Sequence, residues 1–348
     1  MNYKISLGLY WRNAPFALLC ILTIFTGNVL GKEYRIEALT FGPRAVNNRG
    51  AILSQATFVD GRWRVRIYEG GVIRELPSPE HADEVTANAF NDDGWVAGSS
   101  SLVDGSRFAT IFTDSGALVI GEAIQRGLVV QTKPRKVTDK SSVICGEALA
   151  LNNSGDTVGY YCSGERGEIR AYIHNASGIR DLGSLGGNQA HATAINNLGH
   201  IVGWSRTTGG NAHMFLHTPN GIMNLGTLGG ESIYPVAIND RGEIGGWGDS
   251  SNGGMHVFIY KDNSLIDLGC PEDGRCIAKG MNADSHIVGG VTVDLEDGKT
   301  QDHSFLYADG KFTYIEDMLS NGEGWTGLDP VGINDVGQIV GVGNYRGM

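Results

Sequence analysis

Beyond its first 31 residues this chain shows no sustained helical period, which excludes fold classes built on long helices. It is also short of positive charge, with 27 Lys and Arg against 38 Asp and Glu. An acidic surface repels phosphate backbones, so nucleic acid is not an expected partner. The basic run Lys133-Pro134-Arg135-Lys136 is too short to alter that balance. Familiar catalytic signatures are missing too: there is no Gly-x-Ser-x-Gly elbow and no His-Glu-x-x-His zinc motif. No Cys-x-x-Cys spacing occurs, which argues against a thiolate metal site.

What the chain does have is repetition. One short phrase, clearest as Ala194-Ile195-Asn196-Asn197-Leu198-Gly199-His200-Ile201-Val202-Gly203, recurs with its first Asn at Asn47, Asn91, Asn152, Asn196, Asn239, Asn282 and Asn334. Successive spacings are 44, 61, 44, 43, 43 and 52 residues. A period this long means a stacked or circular array of one supersecondary unit. Each unit carries four short strand signals, seen at Ala192–Asn196, His200–Ser205, His213–Thr218 and Gly221–Gly226. The Asn-Asx-x-Gly phrase reads as a hairpin turn: the Asn side chain accepts a backbone N–H, and Gly at the fourth position takes positive φ. Ser285 replaces that Gly in the sixth copy, so its turn is expected to be strained or differently built. The residue two before each Asn is Ala or Gly, as expected where copies crowd at an axis. Gly98, Gly159, Gly203, Gly246, Gly289 and Gly341 sit inside the second strand, implying a close approach there.

These patterns predict an all-β fold, a seven-bladed β-propeller of four-stranded repeats about 43 residues long. An open β-solenoid is the alternative. Glu33–Gly42 resembles a fourth strand and is expected to close the last blade, which the sequence supplies with only its first two strands. That leaves a three-stranded last blade or a truncated chain, and a decayed ring that folds poorly is one reading of it.

Residues 1–31 read as a secretory signal peptide: Lys4 and Arg12 precede an apolar run, Ala14 to Phe25, and Val29-Leu30-Gly31 forms a small-residue cleavage site. An uncleaved anchor, giving a membrane association, is the alternative. Residues 32–348 are then a single repeat domain, expected to be monomeric and secreted, extracellular or periplasmic. Removal of the leader takes away two basic residues and no acid, leaving 25 basic and 38 acidic residues, a charge of −13. Four cysteines remain, Cys145, Cys162, Cys270 and Cys276. An even count in an exported chain suggests two disulfides. Cys145 and Cys162 flank the Asn152 turn, although a one-residue change in register would point them to opposite faces. Cys270 and Cys276 bracket a connector. A four-thiolate metal site is the rival reading.

Ligand-binding loops are sought in the two insertions. The first, about 121–142, holds Lys133 and Arg135. The second holds Asp294, Glu296 and Asp297, and later Trp325. The acidic loop offers oxygens for calcium but lacks helix-loop-helix ligand spacing, so no cofactor is expected. His213, His256 and His303 recur before the aromatic residue of the third strand. Equivalent positions lie on a ring and do not converge on one ion, so a repeated structural hydrogen bond is expected.

The unit His-x-Phe … Gly-x-Met-x-(Asp/Asn)-Leu-Gly-x-Leu-Gly-Gly … Ala-x-Ala-Ile-Asn-x-x-Gly-x-Ile-Val-Gly, seen best over 179–204 and 213–247, resembles the extracellular repeat of the HAF family. This chain keeps the His and Phe of the family's His-Ala-Phe triplet in three copies but not the middle Ala. The resemblance implies an exported bacterial protein and transfers no catalytic residue. The sialidase-type Ser-x-Asp-x-Gly-x-Thr-Trp box is missing. The sequence is therefore read as a non-enzymatic binding module for a glycan, peptide or envelope component. A polysaccharide-active enzyme with carboxylates gathered from several blades is the alternative.

Overall fold

The computed structural model describes residues 20–24, 34–39, 41–57, 61–120, 145–163 and 168–345. Seven antiparallel four-stranded blades form a closed ring. Blade 4 shows the unit: Gly186–Ile195, Ile201–Thr207, Ala212–Thr218 and Gly221–Gly226. First strands of successive blades touch all the way round, including Trp325–Ile333 of blade 7 against Pro43–Val46 of blade 1. The first strand is therefore innermost, and the ring closes as a propeller rather than an open solenoid.

Apolar residues fill the spaces between blades. Val158, Ala171, Ala190, Ala192, Ile201 and Phe215 form one such layer between blades 3 and 4. Each innermost strand carries a β-bulge three residues before its Asn, for example between Ala192 and Ala194 in blade 4. The bulge reverses the side-chain alternation, so Ala192 and Ala194 pack on different neighbouring blades. It also presses a carbonyl against the glycine of the second strand. A Cβ on Gly203 would collide with the His191 carbonyl and lie 2.7 Å from the Phe215 ring. Close approach is thus the reason for this glycine.

Blade 7 departs from the expected count. Its inner strands are Trp325–Ile333 and Ile339–Tyr345, and its outermost is the N-terminal strand Arg35–Leu39. Between them lies Cys20–Ile24, paired antiparallel with both neighbours. The blade is therefore complete, and its third strand comes from the segment read as a leader. The insertion before Trp325 has a structural task here. Tyr34 N–H donates to the Met318 carbonyl at 2.7 Å, and the Asn321 side chain bonds both main-chain groups of Ile36 at 2.7 and 3.0 Å.

Both disulfides form within their expected pairs, Cys145–Cys162 with Cα atoms 5.2 Å apart and Cys270–Cys276 at 5.7 Å. The bulge between Ala148 and Ala150 settles the register that puts Cys145 opposite Cys162.

Candidate functional site

The seven turn asparagines do more than build hairpins. Each is buried. In Asn196, Oδ1 accepts the N–H groups of Leu198 and His200 at 3.1 and 2.9 Å, as the turn reading requires. Its Nδ2 then donates to the main-chain carbonyl of Asn239, in the next blade, at 2.9 Å. Asn47, Asn91, Asn152, Asn282 and Asn334 repeat this, and Asn334 closes the circle on the Asn47 carbonyl at 2.8 Å. A second circle is drawn by the next residue: Asn48 N–H meets Asp92, Asp92 N–H meets Asn153, and Asn197 N–H meets Asp240. That circle breaks at the sixth copy, where Ala283 offers no side-chain acceptor.

Ser285 stands at the same seam with φ +61, the left-handed conformation expected of the missing glycine. Its hydroxyl donates to Glu243 Oε2 at 2.6 Å and accepts from Asn239 Nδ2 at 3.2 Å. Glu243 is buried and also receives Asn239, Arg241 and Lys261. Burial opposes its ionisation, but those hydrogen bonds outweigh it and hold its carboxyl at about 2. A groove of about 330 Å³ opens beside this cluster, lined by Lys261, Ser285, His286 and Tyr307.

Away from these turns, five residues before each Asn, innermost strands bring different side chains to equivalent places. Blades 3 to 5 put Glu147, His191 and Tyr234 there. Their partners across the hairpin are Tyr160, Trp204 and Trp247. The rings run from blade to blade: Tyr160 to His191 at 4.5 Å, His191 stacked on Trp204 at 4.3 Å, Trp204 to Tyr234 at 5.7 Å, and Tyr234 to Trp247 at 4.6 Å. All five are half-buried, so the belt keeps an open side. At its end Glu147 accepts Tyr160 Oη–H at 3.0 Å and Asn88 Nδ2–H at 3.0 Å, with Arg107 3.6 Å away. Burial, with a partial offset from Glu147, lowers His191 to about 4. Burial and then the Glu147 charge raise Tyr160 to about 12. Both are neutral at pH 7, so the belt is uncharged except for Glu147 and Arg107.

The equivalent pairs elsewhere are Thr86 with Ser99, Ile277 with Gly290 and Asp329 with Val342. The fold is thus satisfied without aromatic residues at these places, and the aromatic bulk of blades 3 to 5 is specific to them. The signal was present in the sequence: eight residues after Asn152, Asn196 and Asn239 stand Tyr160, Trp204 and Trp247.

The loops named from sequence lie apart from this belt. Lys133 and Arg135 fall outside the described residues. Asp294 is held by Arg275 at 2.8 and 3.1 Å, and Asp297 by Lys299 at 2.6 Å. Glu296 sits in the turn between these two acids, and Trp325 packs on Tyr345 at 5.0 Å. Among the described residues no group of three or more His, Cys, Asp or Glu is placed to hold a metal. His213 and His256 make the expected bonds within their blades, to Asn224 at 3.1 Å and Asp267 at 2.9 Å. His303 instead stacks on Tyr314 at 4.5 Å.

No family model matches the chain, and no curated protein does. Among solved structures it is similar to the β-propeller domain of the Trilobed protease from Pyrococcus furiosus, with TM-score 0.53 and 11% identity over 85% of this chain and 93% of that one. It is also similar to the acylaminoacyl peptidase of Pyrococcus horikoshii, with TM-score 0.50 and 10% identity over 90% of this chain and 52% of that chain. The second match therefore spans about half of that peptidase. At these identities the likeness shows the propeller fold and nothing about activity.

Proposed function

We propose that this propeller is an exported, non-enzymatic binding module of the HAF type that holds a glycan against the belt of Tyr160, His191, Trp204, Tyr234 and Trp247. One observation carries the reading: half-exposed rings run continuously across three blades, at positions where the pairs of blades 2, 6 and 7 carry no aromatic residue. A pyranose presents an apolar C–H face that stacks on such rings, while its hydroxyls seek polar groups at the rim. Glu147, Asn88 and Arg107 supply those groups at one end. Catalysis is the weaker reading. Glycoside hydrolysis uses two carboxyl groups flanking the bond, whereas among the described residues Glu147 is the carboxylate bonded to a belt ring, and Tyr160 and Asn88 already engage it.

The test is a titration of the full chain with a panel of oligosaccharides, followed by tryptophan fluorescence. A binding glycan is expected to lose affinity roughly tenfold or more with Trp204→Ala or Trp247→Ala, the effect of removing a central aromatic anchor. His213→Ala, in another part of blade 4, is expected to leave affinity unchanged. Binding that ignores both tryptophan substitutions, or no binding across the panel, would sink the proposal.

A further inference from the structure

The third strand of blade 7 invites a separate inference, independent of the aromatic belt. Cys20–Ile24 pairs with Val342, Gly341, Val340 and Ile339 on one side, and with Leu39 through Arg35 on the other. It lies inside the apolar run that the sequence assigns to an export leader. One segment cannot both remain in the ring and leave with a leader cleaved after Gly31.

Each wall of its slot has a further hold besides this strand. Ile339–Tyr345 is held by its own ladder to Trp325–Ile333, and the ring closes through Asn334 onto Asn47. Arg35–Leu39 is held on its far edge by Asn321, while Met318 and Ser320 fix the adjoining Tyr34. With the central strand gone, both walls keep a row of main-chain donors and acceptors facing one gap, which is the geometry that takes up an extended peptide. Buried apolar groups, Ile36, Ile339 and Val340, set the chemistry of the gap.

The corresponding place in other blades shows which residue such a slot takes. In blades 4 to 6 the second-strand glycine is paired with a phenylalanine: Gly203 with Phe215, Gly246 with Phe258 and Gly289 with Phe305. In blade 7 Gly341 is paired with Ile21. A small cavity of about 20 Å³ remains beside Gly341, lined by Ile36, Leu328, Ile339 and Val342 among others.

We propose that the gap between Arg35–Leu39 and Ile339–Tyr345 is a strand-acceptor site. Cys20–Ile24 fills it in the uncleaved chain. After cleavage it takes an extended apolar segment of a second polypeptide, with an aromatic residue favoured opposite Gly341.

The experiment uses the full chain with a protease site inserted between Thr26 and Gly27. The chain is cut in vitro and incubated with an excess of a fluorescent peptide spanning Leu18 to Thr26, with Cys20→Ser. The cut chain is expected to take up the peptide and the uncut chain to take up none. Leu22→Pro in the peptide removes a ladder donor in a strand paired on both edges and should weaken uptake by roughly tenfold or more. Ile21→Phe should tighten it roughly threefold by filling the cavity. Equal uptake by cut and uncut chains, equal uptake of the proline peptide, or no uptake at all would overturn the assignment.

Discussion

Replacing Asn196 by Asp separates two tasks of the repeated asparagine. A turn needs only the side-chain acceptor, and Asp serves there as well as Asn. If that were the whole role, the change would cost within about 0.5 kcal/mol. The structure predicts more. Asn196 is 4% exposed, and its Nδ2 donates to the Asn239 carbonyl at 2.9 Å. A carboxylate there loses the donor and faces with negative charge a carbonyl that keeps only the Gly242 N–H at 3.0 Å. Replacing a buried hydrogen bond by two facing acceptors costs about 1–3 kcal/mol, so Asn196→Asp should destabilise the ring by about 2–3 kcal/mol at pH 7.5. For a domain of this size that is a fall in Tm of about 3–5 °C. The Leu198 and His200 N–H groups still bond the carboxylate, so the turn itself is kept and the loss reads the contact to the next blade alone. Urea unfolding of variant and parent at pH 7.5 measures the effect. A variant as stable as the parent would refute the blade-to-blade role.

Other expectations concern the seam, the staples and the belt. Glu243, held at about 2, contributes stability that is present above about 4.5 and lost as pH falls toward 2. Glu243→Gln should thus be less stable by up to about 3 kcal/mol at pH 6, with the gap to the parent closing below pH 4 in acid titrations followed by circular dichroism. Cys145→Ser with Cys162→Ser opens a short loop and should lower stability by about 3 kcal/mol, read as a lower Tm that reductant no longer changes at that blade. His191, lowered to about 4, stays neutral from about pH 6 to 8. Affinity for a belt ligand should be flat over that range in calorimetric titration, and a step near pH 6.5 would show that His191 is not shielded as described.

Much of the architecture was legible because it is written locally and repeatedly. The Asn-Asx-x-Gly phrase specifies its turn within five residues, and positive φ at Gly199 or Gly242 confirms it. The glycine of the second strand announced a close approach, and the His191 and Tyr234 carbonyls supply it at Gly203 and Gly246. The disulfide pairs followed from their placement around one hairpin and one connector. The aromatic belt was harder to see, since Trp204 and Trp247 look like ordinary strand residues until the copies are aligned and compared with Ser99 and Gly290. The loops favoured for ligands were chosen for their length, but the acids of one of them are spent on Arg275 and Lys299.

The sequence by itself determined the repeat, the hairpin within each copy, the tiny residues near the axis and hence an array of seven units. Only the tertiary structure decided which carbonyl each Asn amide meets, since that partner lies 43 to 61 residues ahead, or 287 away where Asn334 reaches Asn47. It also decided that Cys20–Ile24 completes blade 7. The physical reason is the same in both cases. Turn chemistry acts over a few bonds and is carried by the residues themselves. Partners between blades depend on the angle each bulged, twisted unit adds to the last, and no residue holds that sum until the ring closes.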